Sequence, residues 1–362
     1  MNFIYSSGPA GANSEAHACN FVGSGDISHM LDKPTKTEVT GPDFTFVDEI
    51  TWEELLVRGH IEPPKRPLLV KGAVKAWPAW NRWTFDNLAD LRHANGKDVI
   101  ASFQNGLVEQ GVTREPVLQP VAPYLRDLAE QSKKGVPDDI GLLTARRMKG
   151  LKKGDSFKLD WSYMNSFTAD KVYLAQWNIL DEFPEMKKDF AITTVWPGLR
   201  WTWEFVFMGP AHTVTGIHYD FPNNWFCQVT GTKEFMLFPP DQSENMCESE
   251  KYDWGATLSD INISKLADQP GELSHFNKVK GIYARVEAGD ALFVPSKTWH
   301  CVVALEPSIS LAVFGLTPSE IVIGGGASTL RHALHAMHLY RWGNCTCHKM
   351  KGPAKSGAAV AM

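Results

Sequence analysis

The chain has 362 residues, 43% of them hydrophobic, enough to bury one large core or two modest ones. Its formal net charge of −5, with no long basic run, argues against phosphate-driven nucleic-acid binding as the main activity. No apolar run reaches the ~20 residues that a membrane-spanning helix needs. The start, M-N-F-I-Y-S-S-G-P, lacks the basic and apolar blocks of a signal peptide, so a cytoplasmic protein without a membrane partner is expected. Six scattered cysteines do not form a disulfide pattern and are expected reduced.

In chain order, residues 1–45 are rich in Gly, Ser, Pro, Asn and Thr and read as a flexible N-terminal segment. Residues 46–170 read as an N-terminal α/β cap. Within it, 48–56 is expected to start a helix with acids in its first turn, and 67–73 to form a short buried strand. Thr84 is placed as the N-cap of a helix over 84–91. A strand over 97–103, a helix over 120–132 and loops over 133–160 complete this part. From 171 to 316 the texture changes to short strands between Gly, Pro and Asn, at 172–177, 200–208, 212–220, 224–230, 233–238, 282–287, 290–294, 298–305 and 308–315. A short helix is expected near 183–189. So many strands in succession predict a barrel or sandwich whose inward residues surround one cavity. In the last part, 317–362, Leu330, Leu334, Met337 and Tyr340 or Arg341 recur every three or four residues, predicting a helix before a frayed tail.

One stretch carries most of the chemistry: T-G-I-H-Y-D-F-P-N-N-W-F-C-Q-V-T-G-T-K, from Thr215 to Lys233. His218 and Asp220, two apart on an extended strand, share a face and could hold one divalent ion. Two histidines and one carboxylate with open positions are the ligand pattern of non-haem Fe(II) oxygenases. H-x-D alone is a short motif that chance also produces, so its neighbours decide. E-A-G-D-A-L-F-V-P-S-K-T-W-H, over 287–300, supplies a second histidine, His300, from a distant strand. A histidine merely satisfied at a strand end is the competing reading. Lys233 follows a turn, where lysines are ordinarily solvated. If it points inward with Asn224, Phe226 and Gln228, it is a buried cation that wants an anion.

These blocks, with R-P-L-L-V-K-G-A-V-K-A-W-P-A-W and V-Y-L-A-Q-W-N-I-L-D-E-F-P-E-M-K-K-D upstream, resemble the JmjC (Jumonji C), cupin-like Fe(II)- and 2-oxoglutarate-dependent oxygenases, in their small hydroxylase branch. The fifteen-residue interval from His218 to Lys233 matches that family's spacing. The resemblance implies a mainly β fold with α/β additions: a double-stranded β-helix (jelly-roll, cupin-like) core, the α/β cap and a C-terminal helical segment. It implies that His218, Asp220 and His300 ligate Fe(II) and that Lys233 pairs with the distal carboxylate of 2-oxoglutarate. It also implies that Thr215, Asn224 and Tyr173 line the cosubstrate site; a turn hydroxyl, a turn amide and a core tyrosine are their plainer readings. The family often places an amide on the last core strand, where this chain has Ala312-Val313-Phe314-Gly315. The implied activity consumes 2-oxoglutarate and O2, releases succinate and CO2, and hydroxylates a protein, peptide or small-molecule substrate. A non-catalytic cupin-like binder and an N-methyl-lysine demethylase are the rivals. A homodimer through the C-terminal helix is a further implication, although that helix's apolar face would equally pack on its own core.

Three other features are weaker. Cys345-Thr346-Cys347-His348 is half of a zinc pattern, with a helix-end cysteine pair as the alternative. His332, His335 and His338 drift around a helix and read as a surface stripe. The acids between 241 and 260 read as a solvated loop, which the resemblance puts near the pocket mouth, favouring a cationic substrate.

Overall fold

A computed structural model of the chain describes residues 40–58, 64–105, 116–135, 139–168, 171–191, 200–253, 255–322 and 326–345. The stretch 1–39 and the tail from Lys349 lie outside these residues. The first strands are β1 (Asp43–Phe46), β2 (Asp48–Thr51), β3 (Leu68–Lys71), β4 (Ile100–Asn105), β5 (Val117–Pro120) and β6 (Phe157–Lys158). After them come β7 (Val172–Trp177), β8 (Arg200–Gly209), β9 (Val214–Asp220), β10 (Asn223–Thr230), β11 (Lys233–Phe238), β12 (Glu248–Tyr252) and β13 (Ala256–Ser259). The last are β14 (Lys280–Val286), β15 (Ala291–Val294), β16 (Trp299–Ala304) and β17 (Ser308–Leu316).

Eight of these strands define the architecture. In one sheet the antiparallel order is β8-β17-β10-β15; in the other it is β9-β16-β11-β14. Going along the chain, consecutive core strands alternate between the sheets, except where β14 follows the β12–β13 excursion. Two interleaved four-stranded sheets of this kind are a double-stranded β-helix, as expected from the sequence. The β10–β11 crossing turns at Gly231, whose φ is +78° and where a Cβ would fall 2.3 Å from the Pro307 carbonyl oxygen. Only glycine serves there.

Period-two alternation assigns the faces. On β11, Phe235 and Leu237 belong to the cluster between the sheets, with Phe226, Leu292, Ala312 and Phe314, while Met236 and Phe238 belong to a cluster outside. Lys233 therefore heads an inward row. The early strands extend both sheets: β1 and β6 continue from β14, β2 and β3 from β15, and β7, β4 and β5 from β8. The helix Val121–Ser132 and the indoles of Trp77 and Trp83 pack behind the β8-β17-β10-β15 sheet.

Several local expectations need correction. Residues 48–51 form a strand rather than a helix start, because Ile50 is buried and all four pair in parallel with β3. The helix begins at Trp52, capped reciprocally: Glu54 N donates to Thr51 Oγ1 at 3.1 Å and Thr51 N to Glu54 Oε2 at 2.7 Å. Residues 43–45, read as part of a loose segment, belong to β1, which pairs in parallel with β14. The 184–189 helix is of the 3-10 type. The region 133–160, read as loops, also holds a helical turn at Ala145–Met148 and the strand β6. Within the acidic stretch 241–260, β12 and β13 form a hairpin on the free edge of β9. Glu248 and Glu250 alternate there with the buried Ser249, a strand pattern hidden by its charges. The C-terminal helix spans Gly326–Ala336, with Leu330 and Met337 exposed rather than packed on the core.

Glu234, on the outer face of β11, is a buried carboxylate that accepts from Leu142 N (2.8 Å), Leu143 N (3.1 Å) and the Tyr283 hydroxyl (2.7 Å). Burial raises its pKa, with these donors acting in the opposite direction. Glu234→Ala would leave three donors unpaired, and a loss of about 3–6 kcal/mol is expected. A shift of the urea midpoint too small for even one lost bond would refute this.

Candidate metal and cosubstrate site

The ligand-type residues converge through β-sheet register. His300 on β16 stands directly opposite His218 on β9, and Asp220 lies two residues further along the same face. The next register pair is Val302 with Thr215, so two steps on β16 match three on β9. One extra residue is thus accommodated around Gly216 and Ile217 as a β-bulge. The bulge puts Thr215 and His218 on the same inner face although they are three apart, which strict alternation would forbid.

Both imidazoles are oriented by the carbonyl two residues before them. His218 Nδ1 lies 2.8 Å from Gly216 O and His300 Nδ1 lies 2.9 Å from Thr298 O. Each Nδ1 therefore carries the hydrogen, and each Nε2 presents its lone pair to the other ligands. Those Nε2 atoms are 3.8 Å and 3.7 Å from Asp220 Oδ2, and the ring centroids are 4.2 Å apart. All three donor atoms lie within 4.8 Å of one another, the only such group among the described residues. Burial and the neighbouring His218 push the His300 pKa down to about 3, so it is neutral at ordinary pH. Burial raises the Asp220 pKa, an effect opposed by His218. Three ligand-type atoms converging in this way fit a divalent cation, and the N,N,O set suits iron.

Deeper in the barrel, Lys233 is only 2% exposed. Its Nζ donates to the Tyr173 hydroxyl at 3.2 Å and lies over the rings of Phe226 (5.2 Å) and Tyr173 (5.6 Å). No carboxylate pairs with it among the described residues, and burial pushes its pKa down to about 7. Nearby on the inner row of β10, the buried Asn224 Oδ1 has no hydrogen-bond partner among the described residues. The Thr215 hydroxyl likewise has no protein partner among the described residues. An unpaired cation on an inner wall is costly unless an anion fills the space, while the unsatisfied Asn224 Oδ1, an acceptor, calls for a donor. On β17 the inward residues at this level are Ala312 and Phe314, so that strand adds no amide, as its sequence indicates.

Tyr173 reaches the site from β7, outside the eight core strands, because Gly209 makes room. A Cβ at 209 would fall 2.4 Å from Tyr173 Cδ2. The glycine was not singled out by sequence reasoning, since its role depends on a ring 36 positions away. While the Tyr173 oxygen accepts from Lys233, its own hydrogen is left to donate to a bound carboxylate. On the sequence-derived expectation that the site takes 2-oxoglutarate, Tyr173→Phe should weaken its binding by about 1 kcal/mol, roughly fivefold. Gly209→Ala should weaken it at least as much by displacing the ring. Unchanged cosubstrate affinity in both variants, measured by calorimetry, would remove Tyr173 from the site.

The other candidates do not form a metal centre among the described residues. His335 is buried rather than part of a surface stripe: its Nδ1 meets Tyr340 O at 2.7 Å and its ring stacks near Tyr252. His338 instead stacks on Trp342, and His332 meets the Tyr252 hydroxyl. Cys345 is buried and bridges to Tyr252 in the backbone, while Cys347 and His348 lie outside the described residues.

Fold and site together define a double-stranded β-helix protein with a His-Asp-His cluster between its sheets. Residues 55–314 match the Cupin-like domain family, and the chain belongs to that family, whose JmjC members are in general Fe(II)- and 2-oxoglutarate-dependent oxygenases. It is 30% identical over 151 residues to Jumonji C domain-containing protein 5 of Drosophila melanogaster, covering 39% of this chain and 35% of that protein. It is 23% identical to lysine-specific demethylase JMJ31 of Arabidopsis thaliana, over 75% of this chain and 50% of the relative. It is 24% identical to human tRNA wybutosine-synthesizing protein 5, over 70% of this chain and 72% of the relative. Against the first two, the chain spans half or less of the relative's length. No helix among the described residues is long and apolar enough to cross a membrane.

Proposed function

We propose that the chain is an Fe(II)- and 2-oxoglutarate-dependent oxygenase that hydroxylates a protein, peptide or small-molecule substrate. The observation that carries this is Lys233: a buried cation without a counter-charge, on the same inner wall as a divalent-metal ligand set. A plain metal-binding cupin has no use for that lysine. The metal, when bound, supplies oxidative chemistry with dioxygen that no side chain can provide. His218, Asp220 and His300 hold it and leave positions free for other ligands. Lys233 and the Tyr173 hydroxyl receive the far carboxylate of 2-oxoglutarate, with Asn224 and Thr215 offering polar contacts along its length. Phe226, Phe235 and Phe314 keep water from the remaining surface.

Access runs from the triad inward. The side chains of His218 and Asp220 are 15% and 17% exposed, whereas Lys233 is sealed. The cosubstrate therefore enters past the metal with its free carboxylate leading, and substrate approaches last. The names of relatives include lysine demethylases and a tRNA-modifying protein, so methylated peptides and RNA belong in the substrate screen beside unmodified peptides and metabolites.

The test is succinate formation from 2-oxoglutarate by the Fe(II)-loaded protein in air. Slow substrate-independent succinate is expected from wild type and none from His218→Ala. Iron bound without any succinate, with every substrate class supplied, would favour a non-catalytic binder. Formaldehyde released from a methylated peptide would instead identify demethylation.

A further inference from the structure

We infer that Glu320, just after the last core strand, is a positioning residue for the metal ligands, acting through Asn223 and the turn at Ser296 and Lys297. The inference rests on the metal-binding reading of the triad. It begins with the corner that follows Asp220. Phe221 and Pro222 form no ladder with a core neighbour, yet this corner separates a metal ligand from Asn224 by only four positions. Its placement therefore has to come from hydrogen bonds outside the ladder.

Phe221 N donates to Gly255 O at 2.9 Å, and the remaining bonds come from the turn before His300. Lys297 N donates to Asp220 O at 2.8 Å, the Ser296 hydroxyl donates to Phe221 O, and Ser296 N donates to Asn223 Oδ1 at 3.0 Å. Lys297 sits at φ +61°, a conformation a non-glycine residue holds only where its surroundings enforce it. The same turn leads to Thr298, whose carbonyl orients His300. One connected set of bonds thus fixes the corner after Asp220 and the approach to His300.

The set is held from outside by a carboxylate. Asn223 is buried, and its Nδ2 donates to Glu320 Oε2 at 2.8 Å and to Gly315 O at 3.4 Å. Glu320 Oε2 also accepts from Thr317 N at 2.7 Å, within a capping box that anchors the carboxylate. A carboxylate can only accept, so Glu320 acts with the Gly315 carbonyl and Ser296 N to fix which end of the Asn223 amide faces it. The Nδ2 end turns to Glu320, which leaves Oδ1 for Ser296 N. Without Glu320 the Nδ2 end keeps only the long 3.4 Å contact to Gly315 O, and the Asn223 side chain that receives Ser296 N is held loosely. Of the three bonds from the turn to the Asp220 corner, the one through Asn223 would weaken, loosening the approach to Asp220 and, through Thr298, to His300.

The test is binding of Co(II) alone to the full chain, followed by its visible absorption, with thermal unfolding recorded for each variant. Glu320→Ala is expected to weaken Co(II) by about threefold or more, less than the roughly 10–100-fold seen when a ligand's direct outer partner is removed, and to alter the band pattern. Glu320→Gln, which keeps an acceptor oxygen, should recover most of the loss. Asn223→Asp sets two carboxylates against each other and should weaken Co(II) too; combining it with Glu320→Gln should relieve that. Wild-type affinity and spectrum in folded Glu320→Ala, or no relief in the double variant, would overturn the inference. A wild type lacking any His218-dependent Co(II) spectrum would overturn the metal reading itself, which is a separate result.

Discussion

Replacing Lys233 by alanine is expected to weaken 2-oxoglutarate binding by about 3–5 kcal/mol, the range found when one partner of a buried ion pair is removed. In affinity that is on the order of a hundredfold to several thousandfold. Iron binding by the same variant should be nearly unchanged, because Lys233 contacts no ligand of the triad. A second consequence has the opposite sign. Without cosubstrate the ammonium is buried and unpaired, so Lys233→Met should raise the stability of the apoprotein. The pH dependence follows from the depressed pKa. Between about 7, the folded value, and 10.5, the ordinary one, the unfolded chain carries a proton that the folded chain has released. Apoprotein stability contributed by this group therefore rises with pH across that window and falls as pH drops towards 7. Lys233→Met should lack this rise. Denaturant titrations at several pH values, with saturating 2-oxoglutarate as a comparison, would read both effects. Equal stability of the two proteins across the window would mean that the lysine is solvated.

The second large effect concerns Asp220. Changing it to asparagine should weaken metal binding by more than the roughly 10–100-fold that accompanies loss of an outer partner, since a charged ligand itself is removed. In the apoprotein the same change replaces a carboxylate facing two imidazole lone pairs with an amide that can donate to them. With Nε2 atoms 3.7 and 3.8 Å away, a small settling of side chains gives at least one hydrogen bond. The apoprotein should therefore gain about 1 kcal/mol. Loss of metal together with a higher unfolding temperature is the expected pair of results. A destabilised Asp220→Asn apoprotein would indicate that the three groups are not set against each other in the absence of metal.

The parts of this account that were legible in the sequence share a cause. His218, Asp220, His300 and Lys233 sit on strands whose inward and outward faces follow from period two, and their spacing along the chain survives folding. The barrel strands were legible for the same reason, being short apolar runs cut by Gly, Pro and Asn. What escaped depended on partners far away in the chain. Residues 48–51 carry helix-start acids but are held as a strand by β3. The hairpin of β12 and β13 hides its alternation under Glu248 and Glu250. Gly209 reads as an ordinary strand end until the Tyr173 ring is placed against it. The shared inward face of Thr215 and His218 contradicts simple alternation, and the bulge that reconciles them is visible only in the register with β16. His335 reads as part of a surface stripe because helical spacing says nothing about the Tyr252 ring that packs on it.

The most direct measurement of the central claim is an anaerobic titration of the apoprotein with Fe(II) and then 2-oxoglutarate, recorded in the visible range. The account predicts a metal-to-ligand charge-transfer band in wild type, its loss in His218→Ala, and a need for far more 2-oxoglutarate in Lys233→Ala. Bound iron without that band at saturating 2-oxoglutarate would contradict the oxygenase reading and leave a cupin-like protein that holds metal for another purpose.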